Sequence, residues 1–205
     1  MIKTYLAIIL FFSLNIFLPA QQKKSTPIGK QNIFELEMQS YEKDTLANAL
    51  VLQEHANVYI DEKNDYKFRT DYYFRIKIFN KEAYSLGNIS IPFYDKEIVK
   101  DIKAVTYNKD GSNIQKHWLK EVDIFTTKES EFWSETKFTL PNLKEGSIIE
   151  YTYSIISPYS RLNDWYFQSE IPKLKSDYSA SILGNYKYNI RLIGNKKLDI
   201  EDISS

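Results

Sequence analysis

The sequence contains no cysteine. Disulfides, thiolate metal sites, a thiol nucleophile and a diacylglyceryl-cysteine anchor are excluded within these residues. The core must be held by packing and hydrogen bonds, which a chain of 205 residues can achieve without covalent staples. Histidine is nearly as scarce. His55 and His117 fall in different strand-like regions, and neither has a second histidine at metal-ligand spacing. His117 and Glu121 stand four apart, which is too few ligands for a zinc centre. No metal and no cofactor are expected. Glycine and proline number 6 each, which argues against a low-complexity or collagen-like chain. The 27 basic and 27 acidic residues cancel, so the basic footprint of a nucleic-acid binder is missing and no nucleic-acid partner is expected. A Gly-x-Ser-x-Gly elbow, a P-loop and a Gly-x-Gly-x-x-Gly turn are all absent. The common acyl-transfer, nucleotide and dinucleotide signatures therefore give no candidate residue.

What is present is apolar and aromatic. Hydrophobic residues make up 43%, and the 16 Tyr and 12 Phe favour pleated, half-buried strands. The first twenty residues stand apart. Lys3 gives a positive start, Thr4 to Leu18 is mostly apolar, and Pro19-Ala20 precedes a polar Gln21-Gln22-Lys23-Lys24. This is the layout of a secretory signal, with Ala20 the natural last residue. The apolar run is short for a membrane span, so no stable membrane anchor is expected after cleavage. The reading is of an exported protein: signal peptide 1–20, flexible leader 21–32, β-sandwich domain 33–193, and a polar tail or start of a linker at 194–205.

Within that domain, period-2 alternation dominates. Leu50–Leu52 and Asn57–Ile60 read as short strands, and a polar turn at Asp61–Asp65 leads to a long strand at Phe68–Phe79, forming a hairpin. Tyr72, Phe74, Ile76 and Ile78 share one face of that strand; Tyr73, Arg75, Lys77 and Phe79 share the other. Asp110-Gly111 marks a second hairpin between Ile102–Tyr107 and Ile114–Trp118. Phe138 to Tyr159 reads as a third and central hairpin: a strand stopped at Pro141, a turn over Asn142–Gly146, and a strand from Ile148 to Ile156. Its Ile149, Tyr151, Tyr153 and Ile155 face a core, while Glu150, Thr152 and Ser154 face water. Leu162–Gln168, Tyr178–Leu183 and Tyr186–Ile193 are read as further strands, and Tyr41–Leu50 as holding a short helical turn. Some ten strands without a long helix predict a β-sandwich.

Chemistry-bearing groups are weighed against ordinary roles. Glu129, Glu131 and Glu135, or Asp199, Glu201 and Asp202, supply carboxylates, but a glycosidase needs two of them facing each other across a sugar. Charged loops explain such clusters equally well. Glu145 and Glu150 are assigned a turn and a water-facing strand position. Trp118, Trp133 and Trp165 are expected in the core, with an exposed sugar-binding platform as the alternative.

A resemblance emerges from combined motifs. Phe-Thr-Leu-Pro-Asn-Leu-Lys-Glu-Gly-Ser-Ile-Ile-Glu-Tyr at 138–151, Tyr-Ser-Ile-Ile-Ser-Pro-Tyr at 153–159, Asp164–Gln168 and Ile171-Pro172 resemble the domain-of-unknown-function family numbered 3857. So do Asp44 with Ala47–Leu52, Arg75–Ile78 and Ala104–Tyr107 ahead of Asp110-Gly111. The similarity covers roughly Tyr41 to Tyr188. It implies an immunoglobulin-like β-sandwich of antiparallel strands in exported proteins of Gram-negative bacteria, periplasmic or associated with the outer membrane. It also implies a position ahead of a transglutaminase-like domain whose Cys-His-Asp triad would perform any chemistry. No catalytic residue of that triad maps onto this sequence. The expectation is a non-catalytic module that engages a protein or peptide partner or a following transglutaminase-like domain. The alternative is a periplasmic carbohydrate-binding module.

Overall fold

The computed structural model describes residues 27–182, 187–194 and 197–203. The expected signal peptide lies outside them. The described chain runs α1 (Ile33–Glu37), β1 (Ala49–Asp61), β2 (Lys67–Ile78), β3 (Asn88–Tyr94), β4 (Ile98–Asp110), β5 (Asn113–Trp118), β6 (Phe125–Lys128), β7 (Trp133–Thr139), β8 (Ile148–Ser157) and β9 (Ser176–Ser181). Two sheets form: six strands in the order β5-β4-β8-β2-β1-β9, and three in the order β3-β7-β6. Among the described residues, all strand pairings are antiparallel except β1 with β9. The sheets pack face to face as a β-sandwich. Between them lie Val51, Ala56, Tyr72, Ile76, Ile78, Ile149, Tyr151 and Ile155 from the large sheet, with Ile91, Phe138 and Leu140 from or beside the small one.

The two expected short strands at Leu50–Leu52 and Asn57–Ile60 are one strand. A bulge between Val51 and Gln53 resets the alternation, which made its two ends look independent. The β1–β2 and β4–β5 hairpins occur as expected. Asp65 takes a left-handed conformation in the first turn and Gly111 in the second. Strand β3 continues through Pro92 to Tyr94. It is an edge strand, where a residue without an N–H does no harm to the ladder.

Phe138–Tyr159 is not a hairpin. Strand β7 pairs with β3 and β6, while β8 pairs with β2 and β4. The turn at Asn142–Gly146 carries the chain from one sheet to the other. Period-2 patterning reports which face of a strand is apolar, but not which neighbour it pairs with. Leu162–Gln168 forms no strand, and the described residues of Tyr186–Ile193 form none either. Helix α1 was not expected; turns occupy much of Tyr41–Leu46 instead. Asn32 caps α1 by accepting from the Phe34 N–H.

Candidate functional site

Both faces of β8 are covered. Ile149, Tyr151 and Ile155 face the small sheet, and Ile148 joins a second apolar cluster with Leu36, Leu50, Leu52, Val105 and Tyr107 on the outer side. Glu150 therefore does not face water. It is 1% exposed, and the expectation of a water-facing position is overturned. The cover comes from the segment Ile28–Tyr41, of which Ile28, Leu36, Met38 and Tyr41 pack against this outer cluster.

A buried carboxylate must be paired or hydrogen-bonded, and Glu150 is fully engaged. Its Oε1 accepts from the Tyr73 hydroxyl at 2.6 Å and lies 3.3 Å from Arg75 Nη1. Its Oε2 accepts from the Tyr107 hydroxyl and from the Gly29 N–H at 2.9 Å. Register puts these groups together: Arg75 lies opposite Glu150 in the β2–β8 ladder, and Val105 opposite it in the β4–β8 ladder. The Arg75 guanidinium also meets Glu35 Oε2, at 2.7 Å from Nη2 and 2.8 Å from Nε. It stands 5.0 Å above the Tyr107 ring. Burial works against the Arg75 charge, but Glu150 and Glu35 outweigh it and hold the group firmly protonated. Burial, then the hydrogen bond to Glu150, pushes the Tyr73 and Tyr107 hydroxyls far up. Both remain neutral donors.

Two neighbours extend this polar face. Lys77 is 0% exposed, and its Nζ donates at 2.7 Å to the carbonyls of both Leu36 and Gly146. Burial lowers its pKa to about 8. Further along, Arg69 gathers Asp71 at 2.7 Å, Asp101 at 2.7 Å and Ser154 at 2.9 Å. A register shift in β4 between Lys100 and Lys103 brackets Asp101, which takes a left-handed conformation.

A cleft of about 300 Å³ opens on the inner side, lined by Tyr72, Phe74, Tyr153, Trp165, Glu54 and Lys173 among others. Stacked rings form its wall, with Tyr72 and Tyr153 centroids 4.7 Å apart and Tyr72 and Trp165 at 6.4 Å. Its Glu54 and Lys173 satisfy each other: Glu54 accepts from Lys173 and Ser176, each at 2.6 Å. Lys173 donates also to the Tyr166 carbonyl at 2.6 Å.

The other sequence-singled residues lie apart. His55 stacks on Tyr73 with centroids 5.0 Å apart, whereas His117 Nδ1 lies 2.8 Å from Asn142 Nδ2. No group of three His, Asp or Glu suited to a metal occurs among the described residues. Glu129 and Glu135 flank Lys137 at 3.0 and 2.7 Å, a surface ion-pair ladder. Trp165 packs on the core, as expected. Trp118 and Trp133 do not: both are exposed. Trp133 joins Tyr94, Phe132 and Tyr159 in a surface aromatic cluster, at 5.3, 6.0 and 5.8 Å from the Tyr94 ring to the other three.

Sequence reasoning missed Glu150, Arg75, Tyr73, Tyr107 and Glu54 as buried polar groups, and Lys173 as the half-buried partner of Glu54. The one available signal was a charged residue in each long strand where an apolar one would otherwise stand.

The family model of the domain of unknown function DUF3857 matches residues 64–201. No curated protein matches the chain. Among solved structures, a crystal structure described as a candidate protease from Parabacteroides distasonis is similar, with a TM-score of 0.53 and 18% identity. The match covers 67% of this chain and 29% of that one, so this chain spans less than a third of that protein's length. The similarity establishes a shared fold.

Proposed function

The chain belongs to the DUF3857 family, and from that premise we propose that it is a non-catalytic, exported β-sandwich module that binds a protein partner. The partner that fits best is a transglutaminase-like domain following such a module. The observation that carries this reading is a run of uncovered apolar side chains after β9. Ile190, Leu192, Ile193, Ile200 and Ile203 are all exposed, with Ile193 and Ile200 each at 85%. Five exposed aliphatic side chains in one short stretch of chain offer apolar area that a partner can remove from water. The size of the similar solved protein agrees, since most of it lies beyond the matched region. Non-catalytic action is supported by Glu150 and Glu54, the most buried carboxylates among the described residues, both of which are engaged by internal partners.

The test is calorimetric titration of this chain with a transglutaminase-like domain taken from a protein in which DUF3857 precedes one. Binding is expected, with at least a tenfold loss for Ile193→Asp combined with Ile200→Asp. Absence of binding by the unchanged chain would overturn the reading.

A second reading, a periplasmic carbohydrate-binding module, is favoured by the exposed cluster of Tyr94, Phe132 and Trp133. It predicts that oligosaccharides shift tryptophan emission in the unchanged chain but not in Trp133→Ala. A flat titration across a glycan panel removes it.

A further inference from the structure

The outer face of the six-stranded sheet is covered by a segment held chiefly through side chains of the strands. Gly29 is clamped on three sides. Its N–H donates to Glu150 at 2.9 Å, its carbonyl accepts from Lys116 Nζ at 2.7 Å, and the Trp118 ring lies on the side where a Cβ would project. Further on, Glu35 meets Arg75, the Leu36 carbonyl meets Lys77, and Glu37 meets Lys109 at 2.7 Å. The Leu36 side chain fills the apolar floor made by Leu50, Leu52, Val105, Tyr107 and Ile148. The helix within this segment is only five residues long, too short to persist alone, and Phe34 beside it points away, exposed.

Under this segment the face presents Arg75, Lys77, Lys109, Lys116 and the Glu150 carboxylate around an apolar floor, while Asp71 and Asp101 lie further along and are held by Arg69. That is the electrostatic and steric complement of a short acidic peptide. We propose that this face is a peptide-binding groove, occupied here in cis by residues 28–38, and that its partner in trans is an acidic peptide of the same pattern. The pattern is a glycine, then six residues later a carboxylate followed directly by a leucine-like residue and, one further on, a second carboxylate. Glycine is required first because Gly29 has φ +103° and a Cβ there would lie 3.2 Å from Trp118 Cη2. The groove is on the opposite side of the sheet from the inner cleft and does not depend on the apolar run after β9. Its failure would leave the proposed partner domain untouched.

The experiment uses the full chain with its own segment loosened by Gly29→Ala and Glu35→Gln, titrated with a labelled peptide of residues 27–38. In the unchanged chain the tethered segment competes at an effective concentration on the order of millimolar. Peptide binding should therefore be at least about tenfold tighter to the double variant. A peptide carrying Gly29→Ala should bind about tenfold weaker, as should the native peptide to a double variant also carrying Lys109→Glu and Lys116→Glu. A folded double variant that binds the peptide no better than the unchanged chain overturns the proposal. If the double variant does not fold, hydrogen exchange on the unchanged chain decides. Exchange of the Gly29, Phe34 and Leu36 amides while β1, β2 and β8 stay protected supports a displaceable segment; exchange only together with those strands overturns it.

Discussion

The inner and outer faces of the six-stranded sheet share the same strands but are held by different chemistry. Inward, aromatic and aliphatic side chains from two sheets interlock, with Phe74 and Tyr151 stacked at 4.8 Å and Tyr151 edge-on to Phe138 at 6.2 Å. Outward, a carboxylate, two cations and two tyrosine hydroxyls lie under a short segment from far earlier in the chain. The inner face gains from apolar area removed from water. The outer face is stable only while every buried polar group keeps its partner. A single removal should therefore act differently on the two sides.

The largest effect belongs to the inner face. Tyr151→Ala should cost about 3–5 kcal/mol in urea unfolding, as for large aromatic truncations. Tyr153→Ala, whose ring is only partly buried, should cost less. Equal midpoints for both variants and the unchanged chain would mean that this face is not the core. On the outer face, Glu150→Leu should cost about 3 kcal/mol, because Tyr73, Tyr107 and Gly29 lose their acceptor and Arg75 loses one of two carboxylates. Adding Arg75→Met should recover part of that loss. Additive costs would show that the network is not a coupled unit.

A smaller effect depends on pH. The folded pKa of Lys77, about 8, lies below its ordinary value, so the unfolded chain holds this proton more tightly. The Lys77 contribution to stability should then rise with pH from about 8 towards 10, by roughly 1–2 kcal/mol between pH 7.5 and 9.5. The raised tyrosines act in the opposite direction from about pH 9 upward, where unfolded tyrosines begin to ionise while the buried ones stay neutral, so the Lys77 contribution is read as the difference between the unchanged chain and Lys77→Met. Lys77→Met should flatten the slope between pH 8 and 9.5, and denaturant midpoints across that range would show it. Smallest of all, Lys137→Ala on the solvent-exposed ladder should leave the melting temperature unchanged, since such pairs are screened by water and salt. A clear drop there would make the small sheet depend on charge as the outer face does.

The sandwich was legible in the sequence because alternation, aromatic richness and Asp110-Gly111 are local signals that survive in the fold. The inner core was legible for the same reason: Ile149, Tyr151 and Ile155 on β8, with Ile76 and Ile78 on β2, lie on the sides their spacing assigns. Leu162–Gln168 looked like a strand because its aromatic residues suit one. Instead Trp165 packs on the inner cluster, its Nε1 donating to Ser176 at 3.1 Å, within a stretch that joins no ladder.

By itself, then, the sequence determined the two-sheet class, the first two hairpins, the inner residues and the family. Each of these depends on residues close together in the chain or on fixed period-2 geometry. Only the tertiary structure decided that Phe138–Tyr159 crosses between sheets and that Glu150 is buried. The first depends on strand partners, to which alternation is blind. The second depends on Gly29, 121 residues away in sequence, because a polar residue on a strand is water-facing until some distant segment covers it.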